Sequence, residues 1–463
     1  MLYRFLSFAI LVLVAQFSFS QETKIFGTIP GGDGLEVRVL SFANQLTNQK
    51  IISDRTIIND GGTFELILKT KETIPVFLEV ENYSIMMYVE SGETYQLICD
   101  SIFPGKDYLP FYNQQELRVN NISEPEPALN SLISYFDYLY EDFVLNNFEK
   151  IYRSHKASVI DGFAYSIDSM YSSFRNEFLQ NYIQYKVASL KLSVATFEKE
   201  EIFDTYFANQ QVFYNNPEYM NFFHQFFDNY ISGYNNHFVT REDLYSTINN
   251  QYSYPAMLDS LGKDTLLRNE KIRELVLINT LKELFHNPEY SKANINDMLE
   301  QVKENSKFEK HRDIAANTMF QLTRFEKGFP APEFKLPTLD GDSVSLADYK
   351  GKPVYLSFMT TWSYACLGEF ELLNPLYEEY GNSIHFVTIS LDKNTEVVNR
   401  FCNDKEYYWD FLYNGSNYDL ILDYDIKTFP MFLLIDKHGK MFEYSAYKPS
   451  ELIKGSFKKV LKK

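Results

Sequence analysis

The sequence predicts a multidomain α+β protein of three successive regions, because the spacing of its apolar residues changes twice along the chain. Residues 21–120 hold short β-rich runs separated by Gly and Asx turns, which predicts an N-terminal, antiparallel β-sandwich-like domain. Residues 126–327 repeat apolar side chains three and four positions apart, which predicts an α-helical middle domain. Residues 328–463 alternate strand and helix patterns, which predicts a C-terminal α/β domain.

The length and composition fit several folded domains and exclude some classes of partner. The chain has 463 residues, of which 45% are hydrophobic and 23% are charged, and these values are typical of globular proteins. With 44 Lys and Arg against 62 Asp and Glu, the formal net charge is −18. A field of this sign repels phosphate backbones, so we expect no nucleic-acid partner. Three cysteines in so long a chain exclude a disulfide-stabilised scaffold.

Residues 1–20 have the pattern of an export signal. Arg4 is followed by the apolar run Phe5–Ala15, and the small residues Ser18 and Ser20 fit a cleavage site after residue 20. The run is shorter than the roughly 20 apolar residues that a membrane span requires. We therefore expect a mature protein in the periplasm, at the cell envelope or secreted, with no integral membrane segment. The alternative interpretation is an uncleaved N-terminal anchor.

Six β-rich runs indicate the strands of the first region. They are Ile25–Ile29, Leu35–Leu40, Thr63–Leu68, Pro75–Val80, Ser84–Val89 and Thr94–Cys99. Apolar and polar residues alternate in several of them, as expected where one face of a sheet is buried and the other is exposed. This pattern predicts a small antiparallel sandwich or barrel, and the region contains no catalytic motif.

The middle region shows helical periodicity, for example in residues 179–187 and 272–284. Pro217, Pro255 and Pro288 are predicted helix boundaries. The apolar stripes are rich in aromatic residues, so a ligand groove is one interpretation of them. Because helical spacing is what packing between helices requires, we expect a helix–helix core instead.

Three apolar runs in the last region predict buried parallel strands. The strands are Val354–Phe358, His385–Ser390 and Met431–Ile435, and the helical patterns are Ala365–Tyr380, Glu396–Asn403 and Ser450–Leu461. The stretch with the clearest chemical content, Trp362-Ser363-Tyr364-Ala365-Cys366, falls where the first strand turns into the first helix. The start of a helix gathers unpaired N–H groups and the positive end of the helix dipole, which stabilises a thiolate placed there.

This stretch and its surroundings resemble the thioredoxin-like fold, in particular the envelope thiol–disulfide oxidoreductases of the TlpA/ResA type. The resemblance covers Ala331 to Leu461, under a third of the chain. It rests on segments that match the family's opening hairpin, the lead-in to its central strand, its first long helix, its next strand, its cis-proline loop and the following hairpin. These segments are Ala331–Leu336 with Leu339–Gly341, Leu346–Lys352, Leu376–Gly381, Phe386–Asp392, Thr428–Pro430 and Leu433–Lys440.

The sequence departs from this family at the active site, which in the family is Trp-Cys-x-x-Cys. Ser363 stands in the place of the nucleophilic thiol, and Cys366 in the place of the resolving thiol. A serine hydroxyl forms no mixed disulfide, and the dithiol cycle needs both sulfurs. The resemblance therefore implies an oxidoreductase relative that is inactive or weak as a dithiol enzyme. Glu369 matches an acid that often follows the second cysteine, and the alternative for it is a surface charge.

Three interpretations of Cys366 stay open at this stage. It is a small buried apolar residue, or it forms a bridge with Cys402, or it is a residual catalytic thiol that supports slow single-thiol exchange or peroxide sensing. Cys99 ends a predicted strand, and we expect it in a core or as an isolated thiol.

The resemblance also implies a cis peptide bond before Pro430. In the family, the backbone before this proline pairs with an extended substrate strand, and such pairing needs no cysteine. Trp362, Tyr364 and Phe429 would then form the aromatic rim of a substrate-binding surface, and ordinary packing is the alternative interpretation of all three.

Two functions of different classes follow from these residues. The first is an impaired oxidoreductase that acts on a thiol- or disulfide-bearing protein client. The second is a non-catalytic polypeptide-binding or assembly module that uses the cis-proline loop. The seven histidines show no metal-ligand spacing, and phosphate-binding loops are absent, so we expect neither a metal nor a cofactor. The client and the oligomeric state stay open.

Overall fold

The computed structural model describes residues 21–103, 114–194, 199–233, 239–415 and 417–462. The predicted leader, residues 1–20, lies outside the described residues. Within those ranges, no helix combines the length and the apolar character that crossing a membrane would require.

Two facing sheets form the N-terminal region. Its strands are β1 (Gln21–Thr28), β2 (Glu36–Phe42), β3 (Lys50–Ile57), β4 (Thr63–Thr70), β5 (Ile74–Val80), β6 (Tyr83–Val89), β7 (Thr94–Cys99), β8 (Gln115–Glu116) and β9 (Val119–Ser123). One sheet has the order β4-β1-β7-β9 and the other the order β3-β2-β5-β6-β8. In β4 every second residue is buried, which is the alternation expected of a strand with one face in a core.

The β-rich N-terminal fold is confirmed, with one difference in strand direction. The pairs β1–β7 and β6–β8 are parallel, whereas the sequence predicts antiparallel strands throughout. Strands that are distant in sequence can pair in either direction, because the connecting chain is long enough to cross over the opposite sheet.

The predicted helical middle region is confirmed as well. Its helices are α1 (Leu129–Phe148), α2 (Ala157–Tyr171), α3 (Glu177–Leu192), α4 (Lys199–Tyr206), α5 (Pro217–Phe227), α6 (Arg241–Tyr245), α7 (Tyr254–Leu261), α8 (Glu270–Leu284), α9 (Lys292–Asn305) and α10 (Glu309–Thr323). Pro217 and Pro255 lie in the first turns of α5 and α7, where a missing N–H costs nothing. The aromatic stripes pack into the core, with Phe207, Phe222 and Phe223 fully buried.

The C-terminal region is an α/β domain built on a five-stranded sheet. Its strands are β10 (Lys335–Pro337), β11 (Ser343–Ser345), β12 (Val354–Met359), β13 (His385–Ser390), β14 (Asp410–Tyr413), β15 (Met431–Ile435) and β16 (Met441–Glu443), and its helices are α11 (Tyr364–Tyr380), α12 (Thr395–Lys405), α13 (Tyr418–Asp423) and α14 (Ile453–Val460). The sheet order is β14-β13-β12-β15-β16, and β10 pairs with β11 in a separate hairpin.

The direction of β15 corrects one expectation. The strands β12, β13 and β14 are parallel, but β15 runs antiparallel to β12. An apolar run that is buried on both faces has the same composition in either direction, so its pattern does not encode direction. Along β12, Leu356 and Phe358 face the side of α13, while Tyr355 and Met359 face α11, α12 and α14.

Candidate functional site

The candidate site lies at the turn between β12 and α11. Ser363 is the residue that precedes the first turn of α11, with extended backbone dihedrals of φ −85° and ψ 122°. Its carbonyl oxygen accepts a hydrogen bond from the Leu367 N–H at 2.9 Å. Ser363 therefore stands at the leading end of the helix, where backbone N–H groups are unpaired and the dipole is positive.

Cys366 lies in the first turn of α11 and is fully buried. The Thr360 N–H donates to its sulfur at 3.5 Å, and the Thr360 hydroxyl lies 3.9 Å away. Burial raises the pKa of the Cys366 thiol, and the hydrogen bonds from Thr360 and Ser363 offset part of that effect. A protonated and shielded thiol is a poor nucleophile, so the structure favours the small-apolar interpretation of Cys366.

The other two cysteines are also buried and free, and the Cys366–Cys402 bridge is not formed. Cys402 lies on α12 in the same core as Cys366, and Cys99 ends β7 in the core of the sandwich. Burial raises the pKa of both Cys99 and Cys402 to about 12.

We expect these thiols to be almost unreactive in the native protein. A thiol titration with 5,5′-dithiobis(2-nitrobenzoate) should find no fast-reacting cysteine without denaturant and three with it, because all three are buried. A native thiol that reacts at once and is absent from Cys366→Ala would contradict this result and support the single-thiol interpretation.

The Phe429–Pro430 peptide bond is cis, and Pro430 precedes β15 directly. The Trp362 and Phe429 rings meet edge to face, with their centroids 5.2 Å apart. The structure thus brings the turn before α11 and the proline loop together through one aromatic pair. Tyr364 is 92% exposed, so ordinary packing does not explain its position.

Asp392 is a further part of the site that the sequence argument missed. It is buried just after β13, and its carboxylate accepts the Thr361 N–H at 3.1 Å and the Thr361 hydroxyl at 2.7 Å. The Ser390 hydroxyl donates to the same carboxylate at 2.7 Å. Asp392 therefore holds the backbone next to Trp362 and Ser363, and its only sequence signal is its place at the end of a buried strand.

Glu369 is buried, which excludes the surface-charge interpretation. Its carboxylate accepts the Ser450 N–H at 3.0 Å and the Ser450 hydroxyl at 2.6 Å. This carboxylate connects α11 to the segment that precedes α14, so its role in the described structure is to position the helix.

The reactive groups at the site are a hydroxyl and a buried thiol. The helix start presents a hydroxyl, and the nearest sulfur lies below the surface. Among the described residues, no group of three His, Cys, Asp or Glu side chains is arranged to hold a metal ion. Of the three aromatic residues, Tyr364 is exposed, whereas Trp362 and Phe429 are partly buried and pack against the cores of the domain.

A central strand that turns into a helix opposite a cis-proline loop defines a thioredoxin-like domain. The family model described as the AhpC/TSA family matches residues 328–443. The chain is 30% identical over 117 residues to the thioredoxin-like protein YneN of Bacillus subtilis (strain 168), which covers 25% of this chain and 68% of that protein. It is 31% identical over 130 residues to the thiol-disulfide oxidoreductase ResA of Geobacillus thermodenitrificans (strain NG80-2), covering 28% and 74%.

One solved structure similar to this chain is the thioredoxin domain of a thiol-disulfide oxidoreductase from Bacteroides vulgatus. It is 26% identical, has a TM-score of 0.28, and the match covers 29% of this chain and 98% of that one. Through its C-terminal third, the chain belongs to the thioredoxin-like family that includes YneN and ResA.

Proposed function

We propose that the protein is an exported thioredoxin-like protein of the bacterial cell envelope, related to thiol–disulfide oxidoreductases but impaired in dithiol chemistry. The proposal rests on where the sulfur atoms of the site lie. The start of α11 has a hydroxyl at Ser363, and the sulfur of Cys366 is buried. The pattern of residues 1–20 supports export.

The impairment follows from the balance of the exchange reaction. In that reaction a thiolate attacks a client disulfide, one client sulfur leaves as a thiol, and a mixed disulfide forms. A second thiolate then attacks the mixed disulfide, releases the reduced client and leaves a disulfide on the enzyme. Ser363 cannot form the mixed disulfide, and Cys366 cannot perform both steps alone.

We propose that the protein consists of three structural units, formed by residues 21–120, 126–327 and 328–463. Two apolar cores that each draw on one unit support this division, one in the sandwich and one in the C-terminal region. The core of the helical region consists of helical-region residues together with Leu46. The last strand of the sandwich, β9, extends the first unit to Ser123.

The direct test is reduction of insulin disulfides by dithiothreitol, measured as turbidity. We expect insulin to be reduced at the same rate with the wild-type protein as with dithiothreitol alone. Turnover by the wild type at the level of a Cys-x-x-Cys relative assayed beside it would refute the impairment.

A second candidate function is non-catalytic polypeptide binding, and the exposure of Tyr364 favours it. Tyr364 follows Trp362 by two positions in the chain, and the Trp362 ring contacts Phe429. Aromatic side chains are frequent anchors of polypeptide interfaces. We expect Tyr364→Ala to weaken binding of an unfolded probe, reduced and carboxymethylated α-lactalbumin, by about tenfold. Fluorescence anisotropy of the labelled probe measures this.

Tyr408→Ala is the matched control, because Tyr408 is also an exposed tyrosine of the C-terminal domain. Its affinity should equal that of the wild type. Equal losses in the two variants, or no binding by the wild type, would exclude this second function at the proline loop.

A further inference from the structure

Helix α1 is apolar on two faces, and the structure buries only one of them. The inner face buries Phe136 and carries Phe143, whose ring stacks on that of Phe163 in α2 with the centroids 4.1 Å apart. The large apolar side chains of the outer face are exposed, and they are Tyr135 (51%), Tyr138 (65%), Leu145 (77%) and Phe148 (51%). Because a helix that is apolar all round is normally buried all round, the outer face of α1 lacks a cover.

The exposed side chains of the outer face form one continuous stripe. They occupy positions 135, 138, 145 and 148, and steps of three and seven keep residues on one side of a helix. Tyr152, in the π-helical turn after α1, extends the stripe, since its ring lies 4.9 Å from the ring of Phe148 between centroids. Together the five side chains expose roughly 500 Å². An exposed apolar patch of this size often marks an interaction site.

Carboxylates lie within the same stripe. Glu141 and Asp142 fall between Tyr138 and Leu145, and both acids are exposed. Helix α1 contains no lysine or arginine. Asp142 accepts the Asn146 amide at 3.0 Å, and among the described residues no cation lies within ion-pair distance of Glu141 or Asp142. The outer face therefore combines apolar surface with negative charge that is not neutralised.

This combination distinguishes between the partners that an apolar helix face could have. A second copy of the chain is disfavoured, because each copy carries a net charge of −18 and the patch is smaller than the roughly 800 Å² that a standard interface buries on each side. A lipid surface is disfavoured too, because helices that lie on membranes carry lysine and arginine on their polar face. A polypeptide that brings both apolar and positively charged side chains satisfies the outer face.

We propose that the outer face of α1 binds a basic amphipathic helix of a partner protein. Apolar side chains of that helix, three and four positions apart, would contact Tyr138, Leu145 and Phe148. Its lysine and arginine side chains would pair with Glu141 and Asp142, which selects basic partners over acidic ones. The proposal is independent of the function proposed for the C-terminal domain, because it uses no residue of that domain.

The test uses a fluorescent peptide of about 14 residues, built only from leucine and lysine, with the leucines on one side of the helix. Fluorescence anisotropy measures its affinity for the full-length protein. We expect Leu145→Ser to weaken binding about tenfold, since an apolar anchor at the centre of an interface commonly contributes that much. Leu452→Ser is the matched control, because Leu452 of the C-terminal domain is 80% exposed, and its affinity for the peptide should equal that of the wild type.

The contribution of charge is tested with a second pair of variants. Combining Glu141→Gln with Asp142→Asn should weaken peptide binding about fivefold, since each exposed ion pair contributes up to about 1 kcal/mol. Combining Glu200→Gln with Glu201→Gln on α4 is the matched control, because it neutralises two adjacent exposed acids on another helix, and the affinity should not change. A peptide in which glutamate replaces every lysine should not bind.

Several results would overturn the proposal. One is the absence of saturable binding at about 100 μM leucine–lysine peptide, which is weaker than specific helix recognition. Equal losses of affinity in Leu145→Ser and Leu452→Ser would show that the peptide binds elsewhere on this acidic protein. A dimer in sedimentation, or binding to phosphatidylcholine–phosphatidylglycerol vesicles, that is lost in Leu145→Ser would assign the outer face to a second copy or to lipid instead.

Discussion

Ser363→Cys is expected to convert the protein into an active dithiol–disulfide oxidoreductase. The introduced thiol would stand at the positive end of α11, where thiol pKa values fall from about 8.5 to about 3.5–7.5, so it would ionise near neutral pH. Cys366 lies three residues later and would resolve the mixed disulfide without needing exposure to solvent. We expect insulin reduction at least about 100-fold above the wild-type protein, because the variant restores a missing step rather than tuning an existing one.

Two further variants separate this explanation from a general loosening of the turn. Ser363→Ala removes the hydroxyl without adding sulfur, and its turnover should stay at the wild-type level. Ser363→Cys combined with Cys366→Ala should accumulate a mixed disulfide with the client and release it slowly, because no second thiol is present. If Ser363→Cys titrates one additional native thiol but shows no turnover, the loss of activity has another cause than the missing sulfur.

The parts of the fold that the sequence predicts are those in which local pattern and burial agree. The alternation in β4 and the continuous apolar run of β12 each correspond to a strand at the predicted place. The strand β3 was not predicted, because its sequence mixes charged and apolar residues without a dominant face. It forms through pairing with β2, and Ile52 packs against the core of the C-terminal domain, which is information that a local pattern does not contain.

Some residues of the candidate site can likewise be predicted from the local sequence, and others only from the folded structure. Ser363 and Cys366 lie within one strand–turn–helix segment, so the sequence alone could predict their order and their helix start. Asp392 binds Thr361 from 31 positions away, and only the folded sheet brings the two residues together. The accessibility of Cys366 depends likewise on packing by α12 and α14, which the local sequence around the cysteine does not encode.

The sandwich and the C-terminal domain meet at a buried charged cluster that includes Glu79. Glu79, on β5, is 2% exposed and accepts the Tyr418 hydroxyl at 2.9 Å and the Lys50 ammonium at 3.0 Å. The Arg38 guanidinium lies 3.6 Å from the centroid of the Tyr418 ring, and Arg38 Nε is 3.8 Å from the Glu79 carboxylate. Tyr418 belongs to α13, so this one carboxylate connects two domains.

We expect Glu79→Ala to destabilise the protein by about 3 kcal/mol, the lower end of the range for breaking a buried ion pair. The buried Arg38 guanidinium would then keep Glu36, 3.5 Å away, as its one acidic partner among the described residues. Arg38 is 3% exposed, and its Nε and Nη2 atoms have no hydrogen-bond partner among the described residues, so it cannot regain solvation without opening the interface. Urea denaturation followed by fluorescence measures the free energy of the first unfolding transition. Glu65→Ala is the matched control, since its pair with Lys24 is 53% and 41% exposed and should contribute under about 1 kcal/mol. Similar losses of unfolding free energy in Glu79→Ala and Glu65→Ala would mean that the cluster does not hold the domains together. Glu79→Gln keeps a hydrogen-bond acceptor but not the charge, so its loss of unfolding free energy should lie between those of Glu79→Ala and Glu65→Ala.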